Sequence, residues 1–102
     1  EEPSFVAYQN QDMMNLSVDI GCITKEIYPG YGSIESGVIP RGKRVSSLFK
    51  GDYKGMGDAY VHFYNWVKMH NLHVKNTYYE FYLNSPITVK REELITKIEL
   101  LL

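Results

Sequence analysis

The sequence predicts an α+β fold: a largely antiparallel sheet with one main helix packed on one face, in the order β-β-β-α-β-β. Three observations carry this reading. One stretch, residues 56–70, repeats apolar residues at three- and four-residue spacing. Short runs rich in β-branched and aromatic residues lie on both sides of it. The whole is 102 residues with 44% hydrophobic content, enough for a single domain over 1–102 with a modest core.

The elements follow in order. Phe5 to Tyr8 reads as a short strand after Pro3, and Gln9 to Asn15 is polar and turn-like. Leu16 to Cys22 alternates: Leu16, Val18, Ile20 and Cys22 share one face, and Ser17, Asp19 and Gly21 the other, the pattern of a half-buried strand. From Thr24 to Gly42 the chain is punctuated by Pro29, Gly30, Gly32, Gly37, Pro40 and Gly42. This predicts a connection with one short extended piece at Gly37 to Ile39. Val45 to Lys50 is the third strand, and Gly51 to Gly55 turns the chain. In the helix, Ala59, Phe63, Trp66, Val67 and His70 form the apolar stripe, widened by Tyr60 and Tyr64. Asn71 stands where a left-handed cap is wanted. Tyr78 to Leu83 and Ile95 to Leu101 complete the sheet, separated by the stop signal Asn84-Ser85-Pro86.

Composition excludes several classes. A net charge of −1 and a pI near 6.3 give no electrostatic footprint for nucleic acid, so no direct nucleic-acid binding by this chain is expected. No run reaches the length of a membrane span, and no signal peptide is visible. Cys22 is the lone cysteine, which rules out an internal disulfide and fits a reducing cytoplasm. Its place on the apolar side of its strand predicts a buried structural thiol. His70-x-x-His73 straddles a helix end, with no cysteine partner and no H-E-x-x-H pattern. No glycine pattern matches a dinucleotide or phosphate loop, and no serine has a nucleophile setting. We therefore expect no catalytic residue, metal or cofactor.

The informative segment is Thr77-Tyr78-Tyr79-Glu80-Phe81-Tyr82-Leu83. Alternation places Tyr78, Glu80 and Tyr82 on one face of the strand. A dry, unpaired carboxylate between tyrosines is costly, but in a cavity it neutralises an organic cation while the rings supply cation–π contacts. The competing reading pairs Glu80 with Lys97 on the neighbouring strand, as a solvated cross-strand ion pair. Trp66, within the helix stripe, is expected first as a core residue.

The ordered motifs resemble the GyrI-like effector-binding domain, the ligand-binding module of multidrug-sensing bacterial transcription activators and of stand-alone relatives. Glu2-Pro3-Ser4-Phe5-Val6-Ala7-Tyr8 resembles its G-x-P-F-x-x-Y strand, and Val18-Asp19-Ile20-Gly21-Cys22 its v-e-i-G-f strand. Gly51-Asp52-Tyr53 stands where G-P-Y is common, and Ala59-Tyr60, Phe63 and Trp66 resemble the A-Y-x-x-L-x-x-W helix. Tyr79-Glu80-Phe81-Tyr82-Leu83-Asn84-Ser85-Pro86 resembles x-E-x-Y-x-N-D-P, and Glu93 to Ile98 the closing E-L-x-T-E-I. Lys97 departs from the pattern, where the family often has Glu, and Ser85 replaces the acidic residue of the turn.

The resemblance implies that Glu80 reaches into an aromatic pocket as counter-charge for lipophilic cations. Tyr53 and Tyr8 match the motifs, while Tyr78, Tyr82 and Trp66 join them by face arguments. It also implies a pseudo-twofold pair of strand–helix–strand–strand units. This chain carries the second unit and the last two strands of the first. The expectation is a fragment or a domain completed by a second chain, and we expect a homodimer. The leading function is non-enzymatic binding of amphipathic or cationic small molecules, as a sensor or effector domain. The alternatives are a small hydrolase acting on electrophilic ligands, with Glu80 as general base and Tyr53 as polarising donor, and a protein-interaction module that modulates gyrase or another partner.

Overall fold

The computed structural model describes residues 4–9, 17–24, 26 and 29–102. Strands β1 (Ser4–Tyr8), β2 (Val18–Cys22) and β3 (Arg44–Lys50) precede helix α1 (Met56–Met69), which is followed by β4 (Tyr78–Tyr82) and β5 (Ile95–Leu101). The chain order is the one the sequence predicts. The five strands form one sheet in the spatial order β2-β1-β4-β5-β3, and every pairing is antiparallel. The Gly37 to Ile39 piece joins no strand. The predicted turn over Gln9 to Asn15 and the start of β2 at Leu16 lie largely outside the described residues.

Local chemistry sets the helix limits. Asp52 accepts a 3.1 Å bond from the Lys54 amide, capping a single 3-10 turn, Tyr53–Gly55, that leads into α1. Gly55 sits there because a Cβ would lie 2.7 Å from the Phe49 ring. At the far end Asn71 takes φ 54°. Its amide reaches the Lys68 carbonyl at 3.0 Å, and the Leu72 amide reaches that of Val67 at 3.1 Å. This paired closure ends a helix with a left-handed residue.

The helix lays Phe63 and Val67 on Tyr78, Ile98 and Leu100, and the last two are wholly buried. Burying each such aliphatic side chain is favourable by about 1.5–3 kcal/mol. On the opposite face Ala7, Tyr79, Phe81 and Leu101 pack with Phe5, Ile23 and Ile39, so the connection after β2 covers that side. Glu99 is buried there between Arg44 (2.7 Å) and Lys97 (3.0 Å).

Two expectations are corrected at β2. Val18 is 42% and Ile20 82% exposed, and Cys22 is an exposed thiol rather than a buried one. The alternation is real. The register Tyr8↔Val18 and Val6↔Ile20 puts these side chains on the α1 side of the sheet. However, α1 packs over β3, β5 and β4, and β2, at the edge of the sheet, is left exposed on that side among the described residues.

Candidate functional site

Three strands and the entry to α1 converge on Glu80. The register Val6↔Glu80 and Glu80↔Ile98 makes β4 a central strand there, so the carboxylate sits within the sheet rather than at its rim, with 7% exposure. Its polar needs are met by phenols. Tyr82 donates to Oε1 at 2.6 Å and Tyr60 to Oε2 at 2.6 Å, while Tyr8 makes a longer contact with Oε1 at 3.4 Å. Among the described residues no basic side chain lies within ion-pair distance of Glu80.

The register also removes the cross-strand alternative. Lys97 stands opposite Phe81, hence on the other face. It bonds Glu99 at 3.0 Å and lies 5.3 Å from the Phe81 ring centre.

Tyr8, Tyr53, Met56, Glu80 and Tyr82 line a cavity of about 410 Å3. Tyr53 is brought to it by the 3-10 turn and meets Tyr82 edge-on, at 5.7 Å between centres. Tyr78 stands behind this wall, stacked on Tyr8 at 4.8 Å and 9°. Tyr60 in turn sets its edge against Tyr78 at 5.7 Å. Of the six residues singled out from sequence, Glu80, Tyr8, Tyr53 and Tyr82 line the cavity, and Tyr78 supports it.

Trp66 does neither. It is 44% exposed, contrary to the core role first expected, and stacks on His70 at 4.1 Å beside β3. The helical stripe spans a broad arc, and Trp66 falls on the flank turned away from Glu80. His70 uses Nδ1 on the Trp66 carbonyl at 2.9 Å. Among the described residues no group of His, Cys, Asp or Glu is gathered for a metal ion.

Sequence reasoning missed Tyr60 and Met56. In the sequence Tyr60 reads as part of the apolar stripe. Its signal was the hydroxyl, since a tyrosine on a buried helix face needs a polar partner, and the available one is Glu80.

The electrostatics follow from burial. Desolvation raises the Tyr60 and Tyr82 hydroxyls well above the ordinary phenol range, followed by their hydrogen bonds to Glu80 and its charge. Tyr8 is raised by burial and then by the Glu80 charge, and so is Tyr78. Tyr64, stacked 6.2 Å from Tyr60, is pushed up to about 12, chiefly by burial. These phenols therefore hold their protons and act as donors at neutral pH. The result is an acceptor set in aromatic walls, the arrangement suited to a cation with apolar surface.

Comparison with known proteins agrees with this architecture. Two solved structures share the fold. The crystal structure of the EcmrR C-terminal domain matches with a TM-score of 0.87 and 23% identity, covering 96% of this chain and 64% of that one. The cryo-EM structure of the EcmrR-DNA complex in EcmrR-RPo gives 0.86 and 23%, covering 96% of this chain and 38% of that one. This chain thus spans less than two thirds of either relative. No curated protein gives a match. Among the described residues no helix is long and apolar enough to cross a membrane. Residues 4–102 match the GyrI-like family, described as a small molecule binding domain, and the chain belongs to that family.

Proposed function

We propose that this domain binds amphipathic or cationic small molecules in the Tyr8–Tyr53–Tyr82 cavity, with Glu80 as the counter-charge, and that it serves as a cytoplasmic sensor or as the effector domain of a transcription regulator. One observation carries the reading: a carboxylate 7% exposed lines a cavity and, among the described residues, has tyrosine hydroxyls and no cation as its partners. A buried charge without an ion partner is costly, and an entering cation offsets that cost. The hydroxyls also occupy lone pairs that a general base would offer to water, which favours binding over hydrolysis.

The test is a titration of wild type and Glu80→Gln with rhodamine 6G, followed by fluorescence polarisation. Micromolar binding that weakens by about tenfold or more in the variant, roughly 1.4 kcal/mol, supports the reading. Equal binding by both proteins, or by neither, overturns it. Release of a hydrolysed product from an electrophilic ligand would favour the hydrolase instead.

The proposal includes a homodimer. Its support, among the described residues, is the uncovered face of β2, with Val18 and Ile20 exposed one strand away from the cavity, and the open edge of that strand. Apolar faces and free edges favour association. Light scattering across a concentration series, with Ile20→Lys as the disrupting variant, decides it. A monomer at every concentration sinks it.

A further inference from the structure

Strand β3 stands at one edge of the sheet among the described residues. Leu102 donates to the Lys43 carbonyl at 2.9 Å and Gly51 to that of Leu94 at 2.8 Å, in register with Val45↔Leu100, Ser47↔Ile98 and Phe49↔Thr96. Antiparallel ladders alternate hydrogen-bonded and non-bonded pairs. Val45, Ser47 and Phe49 therefore spend their backbone groups on β5, and Arg44, Ser46, Leu48 and Lys50 turn theirs outward. Among the described residues β3 has no strand on that side, and its sequence from 44 to 50 holds no proline. Such an edge is a template for pairing.

A groove lies along this edge. Leu48, Phe49, Ala59, His62 and Trp66 are among the residues lining a volume of about 470 Å3. Leu48 is 66% and Trp66 44% exposed. A strand added here would point alternate side chains beneath His62 and Trp66, and the others beside Leu48. Charge selects the occupant. Exposed Lys43 and Lys50 bracket β3, and among the described residues neither has a carboxylate within ion-pair distance. Among the described residues no acidic side chain lines the groove. Antiparallel self-pairing of a second copy centred on Ser47 would set Arg44 against Lys50, a like-charge pair.

We infer that the β3–α1 edge is a docking site for an extended segment of another protein, with alternating apolar residues and acidic ends, added as a sixth strand. This surface is separate from the Glu80 cavity and does not depend on what that cavity binds.

The probe is a short acetylated peptide of alternating valine and threonine with two glutamates at each end, titrated into the 15N-labelled full chain. The amides of Ser46 and Leu48 are expected to shift and to gain protection from exchange. Leu48→Pro removes an outward amide and leaves the inner ladder intact, since proline is tolerated at an edge when its position faces outward. It should weaken the peptide by about tenfold or more while the circular dichroism stays native. If that variant fails to fold, the pair Lys43→Glu and Lys50→Glu carries the test, with the same loss expected. Glu80→Gln should leave peptide binding unchanged. Unmoved Ser46 and Leu48 amides at millimolar peptide overturn the inference. So does equal binding by a folded Leu48→Pro or by the charge-reversed pair. Concentration-dependent protection of these amides without peptide also overturns it, and assigns the edge to a second copy.

Discussion

Tyr60 on α1 and Glu80 on β4, twenty residues apart in sequence, are joined by a 2.6 Å hydrogen bond from the phenol to Oε2. This bond ties the helix to the centre of the sheet at the floor of the cavity. It also means that the position of the carboxylate is held from α1 as well as from its own strand.

Tyr60→Phe tests that tie. The ring contacts with Tyr64 and Tyr78 survive, but Oε2 loses the donor that it has among the described residues. Leaving a buried acceptor unsatisfied costs about 1–3 kcal/mol. Urea unfolding should show a loss of that order at neutral pH. An unchanged midpoint would mean that water replaces the phenol at no cost.

Alkaline pH should destabilise the fold through the phenols. Burial raises Tyr8, Tyr60, Tyr78, Tyr79 and Tyr82 and takes Tyr64 to about 12. Unfolded phenols ionise near about pH 10, so above that pH the folded state binds more protons than the unfolded one. Stability from these groups is complete below about pH 10 and is lost as pH rises toward the folded values. Denaturation midpoints should be flat up to there and fall beyond it. Tyrosinate absorbance that climbs along an ordinary phenol curve, without unfolding, would contradict this.

Thr96→Val probes a different kind of burial. Thr96 is wholly buried opposite Tyr82, and among the described residues its hydroxyl has no hydrogen-bond partner. Replacing an unpaired hydroxyl with a methyl of similar shape should be neutral or stabilising by about 1 kcal/mol. A clear loss of thermal stability would show that the hydroxyl is paired in solution.

Trp66→Ala separates the two faces of α1. Trp66 lines the β3 groove and not the Glu80 cavity. Rhodamine 6G affinity should stay within about twofold, and stability should change by less than about 1 kcal/mol, as for most exposed sites. A large loss of cation binding would return Trp66 to the cavity.

The sequence by itself determined what depends on neighbours along the chain. The period of two placed Tyr78, Glu80 and Tyr82 on one face, and the helical period marked α1 with Phe63 and Val67 inward. Asn71 announced the left-handed cap. These signals are local, because backbone geometry repeats over a few residues. Pairing and coverage are not local. Whether Lys97 meets Glu80 turned on a register between distant strands, and a shift of one residue would have moved it to the other face. Val18, Ile20 and Cys22 read as a core face, yet only the placement of α1 over β3, β5 and β4 left them exposed. Tyr60 and Trp66 belong to the same stripe in sequence. The tertiary structure alone sent one to the carboxylate and the other to the β3 edge, because a helix of this width touches different partners on its two flanks.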